Sequence, residues 1–428
     1  MKRNFIKATL LAAAMLWTGA MTSCSDDNGN GDDEIIDART TELQAVARQY
    51  LTATVYPTYA QLADSTAQLF DKLHEIKLKL QMAPATLTDA DLQEACRIFL
   101  QARSNYETSE AFLYGAASDF GIDPHIDTWP LDLGSLALTL GNSRQMAAMD
   151  RYEAGHEGEG DYFIGDSYTG TNVPPELLGF HGIEFVIFRN GAPRTADDLR
   201  GTDRYEGTEL AGRYAVSGTD EMIFATAVAG DLRNKCWQME VAWNADAPAR
   251  HREKVEDEMG WPVTVGGGEL TYGENFLRAG QPGSSYASVR KAMESLLVAG
   301  CANIAEEVGT VKMGKPHSGE DINYIESPYS HYSLTDFADN IASIENSYFG
   351  GRPELRDESR SLHAYLARHN AELDQRVVQA IAEAGNRIKA CPKPFVSNYG
   401  SPLVQEAMDA CNRLAVVLGE ASNWILAN

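Results

Sequence analysis

Apolar residues recur at spacings of three and four along most of the chain, and this period predicts amphipathic α-helices. The apolar stripes lie at 37–81, 92–113, 289–308, 362–388 and 403–418. Pro57 lies inside the first stripe and predicts a kink. Gly115 and Gly309 follow the second and third stripes, where they are placed to end a helix. Alternating patterns are scarce, and only 162–168 and 205–214 are candidates for extended chain or a small hairpin.

These patterns predict an all-α fold with only minor extended segments. The length suits two related helical-bundle domains, which we place at 37–205 and 218–428. Residues 110–115 and 345–350 both read Glu-x-x-x-aromatic-Gly at the end of a predicted helix. This repeat indicates an internal duplication.

The N-terminus has the pattern of a secretory signal. A basic start is followed by a short apolar stretch at 8–17 and then by Met21-Thr22-Ser23-Cys24, which is similar to a lipobox. We predict a lipoprotein signal peptide at 1–23, lipidation of Cys24 and a flexible acidic tether at 24–36. This anchors the protein to the outer membrane of the cell envelope, on its periplasmic face or at the cell surface. The alternative is a secreted protein with an incidental cysteine.

The charge of the chain excludes one class of partner. Its 428 residues are 44% apolar and 23% charged, with 61 acidic and 36 basic residues and a net charge of −25. Removal of 1–23 takes away three basic and no acidic residues, which leaves −28. A nucleic-acid partner is therefore not expected, because binding phosphates needs a basic face. No apolar run is long enough for a membrane span.

The cysteines outside the signal are widely scattered, and no Cys-x-x-Cys pair occurs. They are Cys96, Cys236, Cys301, Cys391 and Cys411. Three of them fall on apolar helix faces, so we predict that the cysteines are packing residues and not a disulfide framework.

The common catalytic motifs are absent or incomplete in this sequence. Residues 309–316 match a phosphate-binding loop through Lys315, but Pro316 stands where a metal-binding hydroxyl is needed. No Gly-x-Ser-x-Gly or complete His-Glu-x-x-His sequence occurs. No catalytic constellation is identified, and the question of enzyme activity stays open.

The most informative segment is 174–191. Prolines at its start and Asn-Gly at its end predict one helix of about fifteen residues, apolar around nearly its whole circumference. His181 and Glu184 are three residues apart and share one face. Gly179 and Gly182 lower helix propensity, which suggests a closely packed neighbour. Two interpretations follow: a structural His–Glu hydrogen bond, or a metal site for iron, zinc or manganese.

Gly-Phe-His-Gly-Ile-Glu at 179–184 resembles the Gly-x-His-x-x-Glu signature of the imelysin-like proteins. Three other segments agree in order: 102–115, Asp127-Thr-Trp129-Pro130, and 326–350 with its Ser-x-x-Ser, Asp and Tyr-x-Gly elements. The resemblance covers nearly all of 38–428. It implies two related helical bundles with a functional site near their interface. The family includes lipoproteins and proteins tied to iron acquisition, and it carries a metallopeptidase label.

The resemblance also suggests residues that complete a site around His181 and Glu184. They are Arg103, Glu110, Asp127, Trp129, Ser330, His331 and Asp336. Each has a structural alternative, such as an ion pair of Arg103 with Glu107 one turn on.

We hypothesise a protein that binds a metal ion, iron favoured and zinc second, or a metal-carrying ligand. The alternatives are a metallopeptidase with the same site and a metal-free protein that binds a peptide or small molecule. No organic cofactor is predicted, and the oligomeric state is left open.

Overall fold

The structure is a computed structural model that describes residues 30–154, 162–206, 208 and 210–428. The chain divides into two units, Met1–Arg39 and Thr40–Asn428, and the second is compact. The predicted signal peptide at 1–23 and the predicted lipidation site Cys24 lie outside the described residues. The predicted subdivision of the chain at 205–218 stays a prediction.

The helices of the N-terminal half lie between residues 30 and 200. They are α1 (Asn30–Tyr50), α2 (Tyr56–Met82), α3 (Asp89–Glu107), α4 (Ala116–Asp119), α5 (Asp123–Ile126), α6 (Leu133–Leu140), α7 (Ser143–Met149), α8 (Gly165–Asn172), α9 (Gly179–Ile187) and α10 (Ala196–Arg200). Helix α1 begins inside the segment predicted as a tether. Thr88 caps α3, where its hydroxyl accepts from the Asp91 N–H in a capping box.

The remaining helices follow in the second half. They are α11 (Gly218–Trp243), α12 (Ala249–Arg252), α13 (Tyr272–Leu277), α14 (Val289–Glu294), α15 (Asn303–Glu307), α16 (Gly314–Ser318), α17 (Ser333–Phe349), α18 (Leu362–His369), α19 (Ala371–Ala390), α20 (Phe395–Asn398) and α21 (Pro402–Ala427). The π-helical segments are Leu51–Val55, Glu253–Glu258, Ser295–Ala302 and Val308–Lys312, and the 3₁₀ turns are Pro84–Thr86, Glu110–Phe112, Pro175–Leu177, Val265–Gly267 and Glu358–Arg360.

The described strands are short and form three antiparallel pairs. They are β1 (Tyr152–Glu153) with β2 (Tyr162–Phe163), β3 (Phe188–Arg189) with β4 (Ala192–Pro193), and β5 (Thr202–Asp203) with β6 (Val216–Ser217). In register, Tyr152 lies opposite Phe163, Phe188 opposite Pro193, and Thr202 opposite Ser217. The prediction of an all-α fold with minor extended segments is confirmed. The duplication is not confirmed.

A π-helical turn lies directly before Pro57, where the sequence predicts a kink. Leu51–Val55 separates α1 from α2, and Pro57 lies in the first turn of α2. Proline has no N–H to donate and its ring crowds the preceding turn, so the regular hydrogen-bond pattern changes there.

Two predicted helix ends are wrong. The second stripe ends as a helix at Glu107, well before Gly115. The third stripe continues past Gly309 to Lys312 as a π-helical segment. A Cβ on Gly309 would lie 2.7 Å from Asn412 Oδ1, so this glycine serves close packing against α21 and does not end the helix.

Two predicted single helices are also wrong. The stripe at 362–388 is divided at Asn370, whose side chain accepts from the Leu373 N–H and caps α19. The helix predicted over 174–191 is shorter, because Gly179 has a φ of +66° and α9 starts there. The Asn-Gly end of the predicted helix instead forms the turn of a hairpin between β3 and β4.

One continuous apolar core runs through the second unit. Helix α11 packs along α2 and α9, and α2 packs on α3. Helix α17 packs on α3 and on α19, and α19 packs on α21. The five cysteines of the prediction are free and buried, which confirms them as packing residues. Among the described residues, no helix combines the length and apolar character needed to cross a membrane.

Candidate functional site

Helix α9 places His181 and Glu184 in the interior, where both side chains are almost completely buried. Gly179 at its start allows the backbone of α5 to come very close: a Cβ there would lie 1.8 Å from the carbonyl oxygen of Ile126. The next residue after Ile126 is Asp127. The glycine of the motif therefore brings Asp127 to His181, and the close neighbour predicted from Gly179 is α5.

His181 lies between two carboxylates. Its Nε2 is 3.1 Å from Asp127 Oδ1, and its Nδ1 is 3.5 Å from Glu184 Oε2. Burial by itself would lower the pKa of His181, but the two carboxylates outweigh burial and raise it to about 9. Burial would raise the pKa of Asp127, yet Arg103 and His181 hold it well below its ordinary value. The two flanking carboxyl groups therefore favour the imidazolium form of His181.

The loop between Glu326 and Ser333 holds Glu184 in place. Glu184 Oε1 accepts from the backbone N–H groups of Tyr329 at 3.1 Å and Ser330 at 2.7 Å, and from the Ser330 hydroxyl at 2.7 Å. Ser327 and His331, on either side, have left-handed φ values of 49° and 63°. These turns aim successive N–H groups at one carboxylate oxygen. An element from the second half of the chain therefore orients a motif residue of the first half.

Arg103 on α3 joins several buried carboxyl groups. Its guanidinium contacts Asp127 and Glu326, and its Nη2 is 2.5 Å from Glu107 Oε1. Its Nε lies 3.9 Å from Asp336 Oδ2. The opposing charges raise the pKa of Arg103 against the effect of burial, so this cation is always present.

Lys312 is the second buried cation beside these carboxyl groups. Its Nζ lies 3.2 Å from Glu110 Oε1, 3.2 Å from Glu326 Oε1 and 3.7 Å from Glu107 Oε2. Lys312 is the last residue of the π-helical segment Val308–Lys312, so the continuation past Gly309 delivers this side chain to the interior. We call Arg103 and Lys312 with their carboxyl partners Glu107, Glu110, Asp127, Glu326 and Asp336 the central acid cluster.

The central acid cluster contains more carboxyl groups than cations. Burial raises the pKa of Glu326 to about 7 and those of Glu110 and Asp336 well above the ordinary range. Two overlapping groups have ligand atoms within 4.8 Å of one another: Glu107, Glu326 and Asp336, and Glu107, Glu110 and Asp127. Arg103 already contacts every member of the first group and two of the second, so a metal ion would have to compete with it.

A cavity of about 650 Å³ opens beside the His181–Glu184 pair. Its lining includes His181, Trp129, Leu131, Ile325 and Tyr329. The Trp129 ring centroid is 5.8 Å from that of His181, and Lys312 Nζ lies 5.2 Å from it. Among the described residues, Trp129 Nε1, His181 Nε2 and Glu184 Oε2 are buried without an aligned hydrogen-bond partner.

The structure brings most of the sequence-predicted site residues together. Asp127, Trp129 and Ser330 surround the His181–Glu184 pair, Arg103 contacts Asp127, and Glu110 and Asp336 lie in the central acid cluster. His331 is placed elsewhere, with its ring against Gly191: a Cβ on this glycine would lie 2.3 Å from His331 Nδ1.

Sequence reasoning missed three members of the central acid cluster. The sequence predicts Glu107 only as a helical ion-pair partner of Arg103, whereas its side chain is fully buried. Glu326 belongs to a segment that carries the family resemblance but was not selected. Lys312 falls within 309–316, the stretch that matches a phosphate-binding loop in part. Its position near the end of an apolar stripe was the available signal that this lysine is buried.

Comparison with known proteins places this geometry in a family. The family model described as Imelysin, Peptidase_M75, matches residues 55–419. Iron-regulated protein A of Synechococcus elongatus is 24% identical over 355 residues, which cover 82% of this chain and 77% of that protein.

Two solved structures share the fold. A crystal structure described as an iron-regulated protein A precursor from Parabacteroides distasonis has a TM-score of 0.64 and 24% identity, covering 90% of this chain and 95% of that one. An imelysin-like protein from Psychrobacter arcticum has a TM-score of 0.54 and 14% identity, covering 89% and 93%. With the family model matched over most of the sequence, the chain belongs to the imelysin family.

Proposed function

We propose that this protein binds a metal ion, iron favoured, either free or carried by a small ligand, at His181 and Glu184, with Asp127 on the other side of the imidazole ring. The observation that supports the proposal is a buried histidine with each ring nitrogen beside a carboxylate oxygen, in the wall of a cavity. Imidazole and carboxylate together suit iron, zinc and manganese.

His181 and Glu184 supply two ligands of the kinds that these metal ions take. Bonds of about 2.0–2.2 Å to nitrogen and oxygen place neighbouring ligand atoms about 3.0–3.5 Å apart. Glu184 Oε2 lies 3.5 Å from His181 Nδ1, which suits one ion bound by both atoms. Asp127 Oδ1 lies 3.1 Å from the other ring nitrogen, Nε2, and one ion cannot bind both nitrogens of the same ring. Among the described residues, His181 Nε2 and Glu184 Oε2 are also buried and make no well-aligned hydrogen bond. A bound ion would replace the imidazolium proton as the source of positive charge. Binding would therefore release that proton.

The relative from Synechococcus is called iron-regulated protein A, which favours iron over zinc in this proposal. The predicted lipidation of Cys24 would keep the protein at the outer membrane of the cell envelope. Cell fractionation of wild type and Cys24→Ser tests this part separately: the wild type should be in the membrane fraction and the variant should be released. An equal distribution of the two proteins would contradict the anchor.

The metal site is tested by elemental analysis and calorimetric titration of the purified chain with Fe²⁺, Zn²⁺ and Mn²⁺. We expect one equivalent of metal in the wild type and a loss of affinity of about 100-fold or more in His181→Gln, because a ligand is removed. The matched control is His251→Gln, which alters another buried His–Glu pair, with Nδ1 2.6 Å from Glu240 Oε2. This variant should keep the affinity.

Two results would contradict the proposal. One is a wild-type chain that binds none of the three metals. The other is a His181→Gln variant that binds as tightly as the control. The His181–Glu184 pair would then be structural, as the second interpretation of the sequence has it.

A further inference from the structure

Helices α19 and α21 pack side by side, and their outer face is exposed. Three ion pairs cross from α19 to α21 on this face, and the six side chains are each about half exposed. The pairs are Arg376–Glu420, Glu383–Arg413 and Arg387–Glu406. The partners on α21 fall in number as those on α19 rise, so the two helices run antiparallel.

The sign of the charge alternates from one ion pair to the next. Along this face α19 carries Arg, Glu and Arg, and α21 carries Glu, Arg and Glu at the matching heights. Consider a rotation of 180° about an axis in the face, parallel to the helices and midway between them. It brings α19 of one copy over α21 of a second copy, and each of the six charges over an opposite charge. The face is therefore complementary to itself, as a two-fold dimer requires.

A groove of about 470 Å³ lies between the helices at the first two ion pairs. Ala380 on α19 and Val416 on α21 line it, and Val416 is 65% exposed. Both residues are four positions from the Arg376–Glu420 pair, so they lie at the same height. The rotation that matches the charges also places Val416 of one copy over Ala380 of the other. A protruding apolar side chain then meets a small one, and both are removed from water.

The area of this face is sufficient for a weak dimer. Helix α19 has 20 residues, which makes it about 30 Å long at about 1.5 Å per residue. Two helices packed about 10 Å apart present a face about 20 Å wide. This gives about 600 Å² per copy and about 1,200 Å² in total, the lower limit for a specific dimer. A small apolar centre with a polar rim is also the composition of a non-obligate interface.

We propose that this protein forms a two-fold dimer through the outer faces of α19 and α21. The four helices then make an antiparallel bundle in which α19 of each copy packs on α21 of the other. Each ion pair within a copy joins the same pair of the second copy, so two arginines and two glutamates alternate in a network. This inference does not depend on the metal site.

Sedimentation equilibrium of the purified chain between about 1 and 200 µM tests the dimer. We expect a Kd of about 1–100 µM, because the area is at the lower limit and the apolar centre is small. The dimer should be weaker in about 0.5 M NaCl than in about 0.05 M, because salt screens exposed charges. A chain that is still monomeric at about 200 µM in low salt would overturn the proposal.

Two double variants test the charge pattern directly. Arg376→Glu with Arg413→Glu makes the first two pairs entirely acidic, and Glu383→Arg with Glu420→Arg makes them entirely basic. Each variant alone should be monomeric, because like charges then meet across the interface. An equimolar mixture should form a 1:1 dimer with a Kd within about tenfold of the wild type.

Both double variants lose the same two ion pairs within the chain, so recovery in the mixture is not an effect of folding. The proposal falls if either variant alone dimerises as tightly as the wild type. It also falls if the mixture stays monomeric.

The apolar centre is tested by Val416→Asp, which places a charge opposite Ala380 of the second copy. The dimer should weaken by at least about tenfold, because the carboxylate would be desolvated there. The matched control is Leu138→Asp on α6, where the leucine is 66% exposed, and this variant should dimerise like the wild type. A Val416→Asp chain with the wild-type Kd, or an equal loss in both variants, would contradict an interface at this face.

Discussion

Two groups of buried charges in the described part of the protein differ in their balance. In the first, Arg189, Arg194, Asp203 and Glu221 form what we call the paired cluster. Arg194 Nη1 lies 2.9 Å from Glu221 Oε2, and Arg189 Nη2 lies 2.5 Å from Asp203 Oδ2. Arg194 Nη2 is also 3.5 Å from Asp203. Each cation has a carboxylate of its own, and the cluster ties the β3–β4 hairpin to the start of α11.

In the central acid cluster the carboxyl groups outnumber the two cations, Arg103 and Lys312. The excess has to be balanced, because an uncompensated buried carboxylate is costly. Burial raises the pKa values of Glu110, Glu326 and Asp336, which favours the uptake of protons that would reduce this excess. The comparison teaches that a paired cluster serves packing and orientation, whereas a cluster with excess acid is suited to taking up and releasing a positive charge.

Loss of the Arg103 cation from the central acid cluster is expected to have the largest effect on stability. Arg103→Met leaves several buried carboxyl groups without their shared partner, and we expect a loss of at least about 3–5 kcal/mol in the free energy of unfolding. Urea denaturation followed by circular dichroism measures it. A loss below about 1 kcal/mol, the value of an exposed ion pair, would show that Arg103 is not central to the cluster.

A pair of double variants distinguishes the two clusters. Arg194→Met alone should cost about 3 kcal/mol, and adding Glu221→Leu should recover most of it, because both members of a pair are then removed. In the central acid cluster, adding Asp127→Asn to Arg103→Met should recover little, because Glu107, Glu326 and Asp336 remain. Denaturation of the four variants and the wild type measures the free energies of unfolding. Equal recovery in both clusters would show that the two clusters do not differ in charge balance.

The dependence of stability on pH should show a smaller effect. Burial raises the pKa of Glu221 and of Glu326 to about 7 in the folded protein, from an ordinary value of 4.5. Each group therefore stabilises the fold fully below about pH 4.5, and this contribution is lost as the pH rises to about 7. Glu221→Gln and Glu326→Gln cannot ionise, so each should gain stability relative to the wild type between pH 5 and pH 8.

Denaturation curves at several pH values test this prediction, with Glu253→Gln on the π-helical segment Glu253–Glu258 as a control for a carboxyl outside both clusters. A difference between wild type and variant that is constant across this range would contradict the raised pKa values. A gain for Glu326→Gln alone would indicate that proton uptake belongs only to the central acid cluster.

Much of the fold and part of the site could be predicted from the sequence. The three-and-four spacing of apolar residues predicted the helices, because helix packing needs one apolar face and the sequence shows that face directly. His181 and Glu184 were identified for the same reason, since residues three apart on a helix are neighbours. Membership of the imelysin family followed from ordered motifs. Helix ends were predicted less well, because Gly309 and Gly179 serve contacts with distant segments.

The sequence by itself determined the helical class, the burial of the His181–Glu184 helix and the packing role of the cysteines. Only the tertiary structure decided which groups surround the pair: Asp127 beside His181, the 326–333 loop on Glu184, and Lys312 among the carboxyl groups. The reason is physical. An apolar face is a local property that repeats along the chain, whereas a buried charge is stabilised by partners that may lie more than a hundred residues away and meet it only after the chain has packed.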